Sequence, residues 1–247
     1  MRPGVLKRAL VVVACGALTV TLAACESTES ESAKIEREAA KSRESEPGAL
    51  KLGAVNKSVR VSDATLLSAA GRKAVAVKLT SSSARDQLEL PVLVEVTAAA
   101  GKLAYTNESG VEPSLQHLSL LRSHASAWWV DDQVLANQTT HAVRVRVGAG
   151  KPPSRNAQPL LTAKVTRVGG GSASSSLSGV LVNHSRVALK KAPVYIVALR
   201  GGKVVAAGRA LVSSLAGHPG ASAPFHVALV GSAAGAKIEL TAVATAS

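Results

Sequence analysis

Apolar residues from position 51 onward come in short alternating runs. Val75, Val77 and Leu79 form one; Val92, Val94 and Val96 a second; Val143, Val145 and Val147 a third; and Ile238, Leu240 and, less regularly, Val243 a fourth. Alternation of period two puts every second side chain on one face of a strand, and turn residues separate the runs. No long stretch carries a convincing 3.6-residue period. Many short strands at regular spacing predict an all-β fold, a sandwich or barrel. One segment stays open: Leu115, Leu118 and Leu121 suit a single helical turn as well as a strand.

The pattern also repeats. Pro91-Val-Leu-Val-Glu-Val96, followed by Gly101-Lys102-Leu-Ala-Tyr105, matches Pro193-Val-Tyr-Ile-Val197, followed by Gly202-Lys203-Val-Val205, at an offset of 102 falling to 101. Val61-Ser-Asp faces Val165-Thr-Arg in the same order, and Ser126-Ala-Trp-Trp-Val130 faces Ser222-Ala-Pro-Phe-His-Val227. This ordered series predicts two tandem immunoglobulin-like β-sandwich modules, residues 55–150 and 157–247, with a linker at 151–156 that contains Pro152 and Pro153. Each module is expected to fold on a core of its own. In each, the Gly-Lys pair should turn a hairpin, and the proline should open a strand where no ladder donor is needed. The Gly169-Gly-Gly-Ser-Ala-Ser-Ser-Ser176 tract reads as a flexible loop.

The first fifty residues have a different character. A short basic head (Arg2, Lys7, Arg8) precedes an uncharged apolar stretch from Ala9 to Ala24, the layout of a secretory signal and too short to be read first as a spanning helix. Leu22-Ala-Ala-Cys25 at its end resembles the lipobox of bacterial lipoproteins. That resemblance implies cleavage after Ala24, diacylglycerol on Cys25 and a place on the extracytoplasmic face of the cell membrane. A looser match at Val12-Val13-Ala14-Cys15 would leave too short an apolar core. The alternative for Cys25 is an ordinary thiol after a plain signal peptide or in an uncleaved anchor. With cleavage before Cys25, no second cysteine remains for a disulfide. From Glu26 to Leu50 there are seven acids, four bases and only Ile35 and Leu50 as large apolar residues, so residues 25–54 read as a lipidated cysteine and a disordered, solvated tether.

Composition narrows the function classes. The chain has 247 residues, 47% of them hydrophobic and 18% charged, which is enough for a packed core. Aromatic residues make up 2%, too few to work by stacking bases or sugars. Charge is uneven within the formal net of +13: residues 51–150 carry eleven bases against eight acids, whereas residues 151–247 carry eleven bases against Glu239 alone. On an exported protein such a surplus addresses anionic lipids or acidic wall polymers rather than nucleic acid. Arg186, Lys190, Lys191, Arg200, Lys203 and Arg209 flank the second proline strand and are candidate contacts. The plainer reading is a basic surface that serves solubility.

Chemistry-bearing motifs are scarce. No phosphate-binding glycine loop and no Gly-x-Ser-x-Gly elbow occurs, and the six histidines are scattered. The densest constellation is Trp128-Trp129-Val-Asp131-Asp132-Gln133. On a strand the two acids would point to opposite faces, which suits neither a glycosidase pair nor a shared metal. The structural reading makes Trp129 a core plug and Trp128 an edge cover, with the acids opening a turn; the functional reading makes the four side chains a binding patch. Neither a catalytic centre, a metal nor a cofactor is expected.

A further resemblance lies in the second module. Ser178-Gly-Val-Leu-Val-Asn-His184, the hairpin Val194 to Ala206 and the Leu215 to Phe225 turn are similar to the FxLYD-type domain family of exported bacterial proteins. The name-giving motif is degraded here to Val194-Tyr-Ile-Val-Ala-Leu-Arg200, without its Asp. The resemblance implies a β-sandwich and no shared catalysis. The expectation is therefore a non-catalytic binding or scaffolding lipoprotein of the cell envelope. The alternative is an accessory subunit of an envelope transporter or secretion complex, meeting a protein partner through Trp128 and Trp129.

Overall fold

The structure, a computed structural model, describes residues 48–153, 158–171 and 174–244, all in one compact unit. Ala24 and Cys25 lie outside the described residues. The fold is all-β. In the first half the strands are β1 (Val59–Ala69), β2 (Arg72–Ser81), β3 (Gln87–Ala98), β4 (Leu103–Thr106), β5 (His117–Leu121), β6 (Ser126–Asp131) and β7 (Thr140–Val147). The second half contributes β8 (Leu161–Gly170), β9 (Ser174–Asn183), β10 (Leu189–Arg200), β11 (Lys203–Leu215), β12 (Ala221–Gly231) and β13 (Lys237–Ala242). The segment with two readings contains both: a 3-10 turn at Pro113–Leu115 runs into β5.

Strand order is the same in both halves. The first half pairs β1-β2-β6 in one sheet and β7-β3 in the other, with β4 and β5 following each other along the remaining edge of β3. The second pairs β8-β9-β12 and β13-β10-β11. There the two triplets join through Ala206–Gly231 and Ala207–Val230 into one six-stranded sheet folded over on itself. Backbone geometry repeats as well: Glu89 and Lys191, each two residues before the proline, have φ of 47° and 59°. The hairpin turns hold consecutive left-handed pairs, Ala100 and Gly101 in one half, Gly201 and Gly202 in the other, as tight turns between twisted strands require.

Three sequence expectations are corrected at this level. Pro91 and Pro193 do not open their strands but stand inside β3 and β10. Pro91 is tolerated because the facing Gly148 carbonyl, to which it cannot donate, accepts instead from the Asn56 side chain at 3.3 Å. Most of the Gly169 to Ser176 tract, read as a loop, is strand; β8 continues to Gly170, β9 begins at Ser174, and Gly171 donates to the Ser174 carbonyl at 2.9 Å, while Ser172 and Ala173 lie outside the described residues. The end of the stretch read as tether is docked: Leu50 is buried, its N–H bonds the Glu108 carbonyl, and Ala54 accepts from Ala149.

Packing departs most from the expected pair of separate cores. β2, β6 and β10 are buried on both faces through Ala74–Val77, Ala127–Asp131 and Ala192–Ala198. Such strands lose the polar alternation of a half-exposed sheet. Tyr195, Val197, Val204 and Ala207 of the second half belong to the same apolar cluster as Val77, Val92 and Trp129 of the first. Their alternates Val194, Ile196 and Ala198 line the second half's own core with Leu177, Phe225 and Leu229. Four layers result, with the β1-β2-β6 sheet lying between the β3 sheet and the β13-β10-β11 arm, and β8-β9-β12 outermost.

Two positions show how tightly the layers fit. Gly179 lies opposite Phe225, and a Cβ there would come within 2.3 Å of Phe225 Cζ and 2.5 Å of the Lys164 carbonyl. Asn107 fills the break between β4 and β5. Its Oδ1 accepts from Val94 N–H at 2.8 Å, and its Nδ2 donates to Val92 O and Leu115 O at 2.7 and 2.6 Å, so the buried amide completes the β3 ladder where no strand residue does.

Candidate functional site

The Trp-Asp constellation forms the seam between the halves. β6 alternates its side chains across two interfaces. Trp129 is fully buried and donates from Nε1 to the Ser114 carbonyl at 3.2 Å. Trp128, only 4% exposed, faces the second half; its Nε1 donates to Glu239 Oε2 at 2.9 Å and its N–H to Thr241 Oγ1 at 3.0 Å, both on β13. Lys78 Nζ stands 5.3 Å from the Trp128 ring centroid, within cation–π range. Trp128 thus meets the chain's own second half and Trp129 the interior of the first, so neither ring is exposed.

The two acids also separate. Asp131 is completely buried, accepts from Tyr105 OH at 2.6 Å and from Gln133 N–H at 2.9 Å, and its carboxyl is pushed up to about 6, chiefly by burial. Tyr105 is raised as well, by burial first and then by the Asp131 charge. Asp132 turns to Arg209 of β11, accepting from its N–H at 3.2 Å and standing 3.6 Å from its Nε. Arg209, its side chain 6% exposed, also reaches Glu112 at 3.1 Å and the Ser114 hydroxyl. Tyr195 OH closes the network on the Ser114 carbonyl at 3.0 Å. Sequence reading placed Arg209 among outward cations; its two carboxylate partners lie on loops of the other half, which alternation along β11 does not reveal.

Beside this seam opens a cleft of about 190 Å³, lined by Glu89, Glu112, Ser114, His117, Lys191 and Leu211 among others. Glu89 and Lys191, the positive-φ residues that precede the two prolines, both line its walls. Burial lowers the His117 pKa, opposed by Glu89 and by a hydrogen bond to the Pro113 backbone. The Ser114 hydroxyl accepts from Arg209 rather than pairing with His117. His124 is exposed in the turn before β6, at the end of that strand away from Asp131 and Asp132. Among the described residues, no three His, Cys, Asp or Glu side chains are grouped to hold a metal ion.

The remaining cations fall into two groups. Arg186, Lys190 and Lys191 are exposed near the start of β10, while Arg200 and Lys203 flank the hairpin at its end. Ten residues of strand put these groups about 33 Å apart. Arg200 additionally donates to the Ala234 carbonyl. Glu239, the lone acid after residue 150, is held low by hydrogen bonds from Lys237 and Trp128 and is committed to the seam. No helix among the described residues is long and apolar enough to cross a membrane. No family model and no curated protein matches the chain.

Proposed function

We propose that this protein is a bacterial envelope lipoprotein, cleaved after Ala24 and held to the extracytoplasmic face of the cell membrane by diacylglycerol on Cys25. Its body, two immunoglobulin-like modules of which the second is FxLYD-like, serves as a non-catalytic binding unit for anionic envelope polymers. The observation that carries this reading is the charge of the second half. Eleven bases oppose one acid, and that acid is engaged by Trp128 and by a single base, Lys237. The seam makes the body rigid and leaves its polar constellation committed to structure, which supports binding over catalysis.

The anchor and the binding are tested separately. Cys25→Ala should move the protein from the membrane fraction to soluble or uncleaved forms, because each buried methylene contributes about 0.8 kcal/mol and two or three acyl chains hold where one does not. An unmodified Cys25 thiol in the wild-type mass spectrum would overturn the anchor. Binding to purified acidic wall polymer should weaken steeply between low and physiological salt, and salt-insensitive retention would overturn the electrostatic docking.

A further inference from the structure

The outer face of the β8-β9-β12 sheet has a chemistry that its counterpart in the first half lacks. In the first half the corresponding sheet, β1-β2-β6, turns Ala76, Val130 and Trp128 toward the second half and is covered by it. Among the described residues, no layer covers the outer face of β8-β9-β12. On β9 the odd positions from Ser175 to Asn183 point inward, leaving Ser176, Ser178, Val180 and Val182 on the outside. Cross-strand pairing sets Arg167 and His226 on either side of Ser178, and Lys164 and Pro224 on either side of Val180. Ser178 Oγ lies 3.1 Å from His226 Nδ1.

A bulge creates this arrangement. Lys164 and Arg167 are three residues apart, and in a regular strand that spacing sends side chains to opposite faces. The register shift between Val165 and Arg167 inserts Thr166 as an extra residue, so both cations emerge on the outer face as neighbours, about 7 Å apart. At the β12 margin Arg72 of the first half donates to the Ala228 carbonyl at 3.2 Å, adding a third cation. Glu239, the only acid of this half, belongs to the opposite arm on β13.

We infer that this face is the docking surface for a linear phosphodiester polymer, a site that rests on the envelope-binding reading above and specifies where it operates. Lys164 and Arg167 bind successive phosphates at the spacing that glycerol units set. Ser176, Ser178 and the imidazole of His226 supply hydrogen-bonding groups between them. A flat strand face with small central side chains admits an extended chain lengthwise. Among the described residues it carries no protruding aromatic, and the exposed Leu160 stands just before β8 at the end of the face rather than within it, which favours the polymer over a lipid surface.

The test uses the whole chain purified in detergent and titrated with poly(glycerol phosphate), with phosphatidylglycerol vesicles as a second arm. Lys164→Gln with Arg167→Gln should lower polymer affinity roughly 30-fold, at the usual contribution of a base near an anionic surface. Arg200→Gln with Lys203→Gln, an equal change of charge at the β10–β11 turn outside the β8-β9-β12 sheet, should lower it less than about threefold, since salt screens charges beyond about 8 Å. Unchanged thermal melts of both double variants, whose substitutions are all at exposed positions, establish that the fold persists. Equal losses from the two pairs would overturn this site while leaving the envelope-binding reading standing. Absence of polymer binding by the wild type would overturn both. Vesicle binding that depends on Lys164 and Arg167, without polymer binding, would reassign the face to lipid and overturn the polymer.

Discussion

Replacing Arg209 with leucine interrogates the seam at its buried cation. Leucine fills part of the volume of the arginine stem but leaves Asp132, 11% exposed, and Glu112 without the cation 3.1 to 3.6 Å away from them. Removing one partner of such a pair costs about 3–5 kcal/mol, because the surviving carboxylate stays desolvated and uncompensated. Against a typical stability of about 5–15 kcal/mol this is a large fraction. For a body of this size each kcal/mol corresponds to roughly 2–4 °C, so calorimetry should find the melt lowered by about 6–20 °C. Adding Asp132→Asn to the Arg209→Leu chain should recover part of the loss, since an amide is cheaper to bury than a carboxylate. A drop below about 2 °C, or a loss that Asp132→Asn does not reduce, would refute the argument that the pair is desolvated between the halves.

Two further outcomes follow from the packing. Asp131 has a folded pKa of about 6 against an ordinary 3.8, so between those values the folded chain keeps a proton that the unfolded chain has released. Its contribution is therefore complete below about pH 4 and is lost as pH rises through 6, at no more than about 1.4 kcal/mol per pH unit; urea titrations of wild type and Asp131→Asn should differ in this slope, and parallel pH profiles would refute it. Gly179→Ala should destabilise by about 1–3 kcal/mol because the new Cβ meets the Phe225 ring and the Lys164 carbonyl, with partial rescue by Phe225→Leu; a neutral substitution would show that the sheet yields there.

Much of this architecture was legible in the sequence because it is local. Alternation marked the strands, and the Pro91 and Pro193 segments with their Gly-Lys turns revealed repeated backbone, down to the offset that falls from 102 to 101 between the positive-φ kinks and the turns. What escaped depends on the third dimension. Ala74–Val77 and Ala192–Ala198 are unbroken apolar runs, a signal of burial on both faces that was there to be used, but only the layered packing identifies what covers the second face. Arg209 looks like any exposed cation until Asp132 and Glu112 arrive from another half. The extra residue at Thr166 is invisible to period-two counting, which assigns Lys164 and Arg167 to opposite sides.

The seam also orders events in time. Trp128 and Glu239 are 111 positions apart, and the ribosome delivers the first half complete before β13 exists. Until β10, β11 and finally β13 follow, the outer side of the β1-β2-β6 sheet, with Trp128 and Val130, lacks its full native cover, an opening for aggregation in the nascent protein. Contacts this distant in sequence also close slowly. The amino-terminal half thus reaches its native burial only with the arrival of the last strand, and a stop codon shortly before Lys237 would strip cover from a tryptophan made more than a hundred residues earlier.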